Sequence, residues 1–245
     1  MELVYIFHSG FALLGDGFTV VMDYYMDSKE YGDNGVPGSG ILHDKILKRE
    51  GKFYVLSSHF HADHFNKEIL SWREKRDDIK FIFSKDILKH RRANEEDAFW
   101  IKKGGEYEDD TLKVKAFGST DVGVSFLIEA EGKKIFHAGD LNNWHWMDES
   151  DEAEWKKSEK YFLYQLDYIY RQVKEIDVVM FPVDPRLGKE YMRGATQFID
   201  KIKTHIFIPM HFTPNYDKAN AFKEIAESKG VKFIPITESG QIVKL

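Results

Sequence analysis

The chain has 245 residues, 42% hydrophobic and 15% aromatic, ample for one buried core, so a single α/β domain over residues 1–245 is expected. Lysine and arginine number 35 against 41 aspartates and glutamates, and the resulting net charge of −6 lacks the broad positive field that a nucleic-acid partner requires. Cysteine is absent, which excludes disulfides, iron–sulfur clusters and thiolate zinc sites, so any metal must be held by carboxylates and the ten histidines.

In chain order, the opening MELVYIFHSGFALL has neither the basic start nor the unbroken apolar run of a secretion signal. No later run approaches the roughly 20 apolar residues of a membrane span, so a soluble cytoplasmic protein without a membrane partner is expected. Short β-rich runs fill the first half: LVYIF, FTVVMDYY, KFYVLSS, KFIFS, LKVKAFG, VSFLIEA and KKIFHAGD, most of them bounded by Gly, Asp or Asn. GDNGVPGSG, residues 32–40, reads as an exposed loop. Over residues 152–174 the apolar positions Trp155, Phe162, Leu166, Ile169 and Val173 recur at helical spacing among charged neighbours. Alternating units follow: strand IDVVMFPV, a helix over 191–202, strand THIFIPM, a helix over 217–228, then strands VKFIPI and QIVKL. No sequence repeat or low-complexity tract interrupts the pattern. Strands first and strand–helix units later suggest sheets packed face to face with helices outside.

The chemistry is concentrated in SSHFHADHF, residues 57–65, directly behind the strand KFYVLSS. His59 and His61 are two apart and can face the same way, while a turn through Ala62 swings Asp63 and His64 toward a neighbouring position. Borderline divalent ions favour imidazole nitrogen with carboxylate oxygen, and a catalytic site keeps one position for water.

With His59, His61, Asp63 and His64 in the pattern HxHxDH, the sequence resembles the metallo-β-lactamase superfamily over nearly the whole chain, and its layout is most similar to the branch containing L-ascorbate-6-phosphate lactonase. The resemblance implies an α/β four-layer αβ/βα sandwich, the metallo-β-lactamase fold. It also implies that Asp23, closing FTVVMD, supports the ligand loop, that Asp140 in IFHAGD bridges two metals, and that His211 in IPMHF completes the second site. One position departs from the pattern: where the family supplies a further histidine, FGSTDVGVSF has Ser119, Thr120 and Asp121. Water, Asp121, or a displaced histidine (His8, His137 or His145) would have to make up the first site. His145, five residues past Asp140, is the replacement ligand carried forward.

The implied activity is that of a metal-dependent hydrolase in which one or two divalent ions, zinc before manganese or iron, activate water for attack on a small-molecule lactone, ester or phosphoester. Asp63 is expected to orient that water and take its proton. Trp144, His145, Asp184 and Arg186 are the candidate substrate contacts, the aromatic pair as a wall and Asp184 with Arg186 as an ion pair or an anion-binding pair. The alternatives are an RNA- or DNA-processing nuclease, disfavoured by the acidic charge, and a metal-retaining sensor with little turnover. Oligomeric state is not legible.

Overall fold

A computed structural model describes residues 1–27 and 41–245, and the loop expected at residues 32–40 lies outside the described residues. Those described form two compact units, Met1–Lys102 with Thr237–Leu245, and Lys103–Ile236. Each is built around one seven-stranded sheet. Among the described residues no helix is long and apolar enough to cross a membrane.

In the first unit the apolar runs become β1 (Glu2–Phe7), β2 (Gly10–Gly15) and β3 (Phe18–Met22), an antiparallel meander. Then come α1 (Ile41–Leu47), β4 (Lys52–Ser57), α2 (Glu68–Ser71), β5 (Ile79–Ser84), α3 (Lys85–Lys89) and β6 (Phe99–Ile101). Strands β3 to β6 pair in parallel, and the short helices lie in their crossovers. A parallel strand covered on both faces should be continuously apolar. Accordingly, β4 is buried from Phe53 to Ser57, and Val55, Phe83, Phe65, Ile69 and Trp72 share one core cluster. Each such side chain contributes about 1.5–3 kcal/mol by leaving water.

The second unit runs β7 (Glu106–Glu108), β8 (Lys113–Gly118), β9 (Val124–Ala130), β10 (Lys133–His137), α4 (Glu152–Gln172), β11 (Glu175–Pro182), α5 (Arg193–Lys201), β12 (Lys203–Met210), α6 (Tyr216–Asn220), α7 (Lys223–Ser228) and β13 (Lys232–Phe233). The chain then returns to the first unit as β14 (Ile242–Lys244), paired antiparallel to β1. The sheet orders are β14-β1-β2-β3-β4-β5-β6 and β13-β12-β11-β10-β9-β8-β7. In each, an edge strand and an antiparallel meander lead into three parallel pairings. The two units therefore share a topology that the sequence shows no repeat of. Asp23 after β3 stands where Asp140 follows β10, the 58–64 loop after β4 where Asp184 follows β11, and Asp86 after β5 where His211 follows β12.

Several elements differ from the sequence expectation. Strands β2, β6 and β7 and helices α1 to α3 had not been anticipated; at three to seven residues they are too short for periodicity to declare itself. The helix expected over 191–202 starts at Arg193 behind a 3-10 segment, Pro185–Glu190, and that expected over 217–228 is divided into α6 and α7. VKFIPI pairs only at Lys232–Phe233: Ile234 N–H still donates to Phe207 O at 3.0 Å, but the next donor on the ladder would be Pro209 of β12, which has no N–H.

Candidate metal centre

In each unit the candidate ligands stand at the carboxyl ends of parallel strands, where open α/β sheets present their ligands. In the first unit Asp23 leaves β3 with φ 44° and is fully buried. One carboxylate oxygen accepts the Ser58 backbone N–H at 2.7 Å; the other accepts the Ser58 hydroxyl at 2.6 Å and is 2.7 Å from His64 Nδ1. With its hydrogen given to Asp23, Ser58 Oγ can only accept from His59 Nδ1, 2.9 Å away. A single carboxylate thus fixes two imidazoles in the tautomer with Nδ1 protonated and Nε2 bearing the lone pair.

The backbone then turns, with Phe65 N–H donating to His61 O at 2.8 Å. His59 Nε2 lies 3.1 Å from His61 Nδ1, close to the roughly 3.3 Å that separates two nitrogens bonded to one tetrahedral ion. Asp63 is 39% exposed and open to water; its Oδ2 is 3.4 Å from His8 Nε2 and 3.9 Å from His64 Nε2. His8 occupies the β1–β2 turn at φ 59°, its N–H bonded to Tyr5 Oη at 2.9 Å. His8 is thereby brought to the ligand loop.

In the second unit Gly139 turns the chain behind β10 with φ 53°, and the buried Asp140 follows. Thr120 clamps that turn: its hydroxyl donates to Asn142 O at 2.6 Å and accepts Asn142 N–H at 2.9 Å. Trp144 Nε1 donates to Asp140 O at 2.8 Å. Helix α5 can press against this turn because Gly194 has no side chain; a Cβ there would lie 2.0 Å from Asn142 Oδ1. His211, past β12 at φ 61°, has Nε2 3.3 Å from Asp140 Oδ1 and Nδ1 3.0 Å from Asp184 Oδ2. Burial alone would raise the Asp184 pKa, but hydrogen bonds from His211 and Arg186 outweigh it and hold it at about 2. Asp184 therefore stays ionised and orients His211, a task that was not legible in the sequence.

His145 does not fill the vacancy. Its Nε2 is bound to Glu190 O at 3.1 Å and its Nδ1 accepts Met147 N–H at 3.1 Å, so neither nitrogen is left for a metal. Both hold the loop. His137 Nδ1 accepts Gly139 N–H at 3.2 Å, and Ser119 Oγ accepts Asp121 N–H at 3.3 Å. Trp144 stacks near Trp146 (6.4 Å, 16°) and lies 5.5 Å from the His211 ring. In both units, then, the donors are imidazoles and carboxylates whose outer partners are carboxylates, a set that fits a borderline divalent ion.

A family model described as Beta-lactamase superfamily domain matches residues 50–212. The chain belongs to the metallo-β-lactamase superfamily and has its fold, the αβ/βα sandwich class expected from the sequence. Within it the chain stands with the metal-dependent hydrolases. It is 23% identical over 266 residues to a UPF0173 metal-dependent hydrolase of Desulforamulus reducens, all of each chain being covered. Igni18, a metallo hydrolase from Ignicoccus hospitalis, has a similar structure: TM-score 0.64, 20% identity, 99% of this chain and 97% of the other. CmlA, a diiron β-hydroxylase from Streptomyces venezuelae, aligns with TM-score 0.66 at 13% identity, over all of this chain and 54% of its own.

Proposed function

We propose that the protein is a metal-dependent hydrolase of a small-molecule lactone, ester or phosphoester, with His59, His61, Asp63, His64, Asp140 and His211 as ligands of one or two divalent ions, zinc before manganese or iron. The observation that carries the reading is the Asp23 carboxylate, which through Ser58 Oγ and directly sets His59 and His64 in the tautomer whose Nε2 carries the lone pair. A chain that needed these histidines only for packing would have no use for such an orienter. When bound, the ion supplies an acidified water and a Lewis acid for the scissile group.

The protein's own residues do the rest. Asp63, partly exposed beside His8, holds the attacking water and takes its proton. Asp184 keeps His211 in one tautomer and is committed to the Arg186 guanidinium at 2.5 Å. That leaves Trp144 and Arg186, itself 60% exposed, to meet the substrate, the indole excluding water and the guanidinium orienting polar oxygen. A sugar-like lactone, as the lactonase-like layout suggests, is one arm of the substrate screen.

The test is metal analysis of protein purified without chelator, with turnover measured on lactones, phosphodiesters and thioesters. At least one divalent ion per chain is expected, with turnover abolished by chelator and restored by metal. Metal-free protein that turns substrate over unchanged would overturn the reading.

A further inference from the structure

Where the family's pattern supplies a further histidine ligand, this chain has Ser119, Thr120 and Asp121. All three belong to the connection between β8 and β9, in which Gly118 pairs with Val124 and residues 119–123 turn the chain. Gly123, at φ 73°, supplies the left-handed step that returns it to β9. Thr120 is committed to structure. Its hydroxyl bonds Asn142 O at 2.6 Å and Asn142 N–H at 2.9 Å and lies 3.2 Å from Asp140 O, so the β8–β9 loop is fastened to the turn that carries Asp140. Ser119 is buried, and its Oγ accepts the Asp121 N–H at 3.3 Å.

Asp121 is placed differently. It is exposed at the tip of the connection, and it and Asp140 each offer a carboxylate oxygen, the two within 4.8 Å of one another. Two oxygens bonded to one ion at roughly 2.0–2.2 Å stand up to about 4.4 Å apart, so the pair is already spaced on the scale that a shared ion imposes. Carboxylates this close repel one another until a cation lies between them. Asp140 is also 3.3 Å, through Oδ1, from His211 Nε2, which sets the pair beside an imidazole and distinguishes it from a chance cluster of acids. The displaced histidines of the same unit do not compete. His145 has both nitrogens engaged, and His137 accepts Gly139 N–H at Nδ1, which puts the proton of the neutral ring on Nε2 and leaves no lone pair for a metal.

We propose that Asp121 is a metal ligand that takes the place of the missing histidine, sharing an ion with Asp140. This rests on the metal-binding part of the hydrolase reading and adds a ligand that the sequence pattern alone does not assign. It also has a chemical consequence. An anionic oxygen in place of a neutral imidazole adds one negative charge and a harder donor, and carboxylate suits manganese better than imidazole does. Zinc therefore outbinds manganese by a narrower margin here than a third imidazole would give.

The test is a titration of chelator-stripped wild type, Asp121→Ala, Asp121→His and Ser119→Ala with zinc and with manganese, in competition with a chromophoric chelator. Asp121→Ala should lose about a hundredfold or more in affinity for one ion, at or above the top of the roughly 10–100-fold range that outer partners of ligating histidines cost. Ser119→Ala should keep the wild-type affinity. Asp121→His should raise the ratio of zinc to manganese affinity by about tenfold. The Tm of stripped Asp121→Ala separates ligation from loop structure: removing one of two repelling carboxylates should leave it unchanged or higher. The titration needs no turnover, so wild type that binds metal but turns over no substrate would sink the hydrolase reading while Asp121 is still decided. Unchanged affinity in Asp121→Ala, an equal loss in Ser119→Ala, an unchanged ratio in Asp121→His, or a loss in Asp121→Ala accompanied by a lowered Tm of the stripped protein would overturn the proposal.

Discussion

On its two oxygens Asp23 meets the Ser58 N–H, the Ser58 hydroxyl and His64 Nδ1, and each contact constrains a different part of the ligand loop. Replacing it by asparagine keeps the shape but turns one oxygen into a donor. Whichever way the amide lies, Ser58 or His64 then meets a donor in place of an acceptor. The expected result for Asp23→Asn is a folded protein whose metal affinity falls 10–100-fold, as for other outer partners of ligating histidines. Competition with a chromophoric chelator measures it, and an unchanged affinity would show that the loop orients its histidines without Asp23. The asymmetry between ligands and orienters also explains what could be read from the sequence. His59, His61, Asp63 and His64 stand out as candidate ligands in the sequence because their pattern is local, within six consecutive residues behind one strand. Ser58 and Asp184 do not, because their roles depend on which strand ends the sheets bring side by side. His145 misled for the same reason: its distance from Asp140 along the chain gave no hint that Glu190 and Met147 engage both of its nitrogens.

Helix α4 shows the opposite limit at the scale of an element. Its 21 residues give the apolar stripe several turns in which to repeat, and Phe162, Leu166 and Ile169 are buried as the spacing requires. Its start is set by a capping box: Asp151 Oδ1 accepts Glu154 N–H at 2.9 Å while the Glu154 carboxylate returns to Asp151 N–H at 3.4 Å. Asp151→Ala removes the cap and an anion at the positive helix end, so the protein should lose about 1 kcal/mol, read from urea midpoints at constant slope. Loss of less than a few tenths would mean that packing alone positions the first turn. Glu159, one face further along, accepts from Arg193 at 2.5 Å and from Asn143 at 3.1 Å, so α4 reaches α5 and the turn after Asp140 through one carboxylate. Shorter elements carry no such signature. The pattern of an edge strand and antiparallel meander leading into parallel strands, present in both sheets, emerges only from pairing.

Across the whole molecule the same interactions set the response to pH. Asp184, with its pKa held at about 2 against an ordinary 3.8, contributes stability that is present above 3.8 and lost as pH falls toward 2; in metal-free protein this amounts to about 2 kcal/mol. Asp44 is lowered by Lys75, Glu159 by Arg193, and Asp97, against the opposing effect of burial, by the Asn94 N–H and then Arg73; all three act in the same direction. The alkaline side depends on His43, which is buried, bonded through Nδ1 to Asp27 at 2.9 Å, and stacked on Trp72 at 5.5 Å. Burial opposes its charge. The Asp27 hydrogen bond and the charges of Asp27, Glu68 and Asp44 prevail together and raise its pKa above 6.5. Tyr24 Oη, 3.1 Å from the same nitrogen, is pushed upward by burial and by Asp27, so it remains neutral beside the imidazolium. A raised folded pKa means that the contribution of His43 is complete below 6.5 and is lost as pH rises through the folded value. Urea midpoints of chelator-treated protein should therefore be highest between about pH 4 and 6.5 and decline on either side. His43→Gln keeps a donor for Asp27 but cannot charge, so it should lower the midpoint on the acidic side of that decline and abolish the decline itself. If the variant loses stability above 6.5 as steeply as the wild type, some group other than His43 sets the alkaline limb.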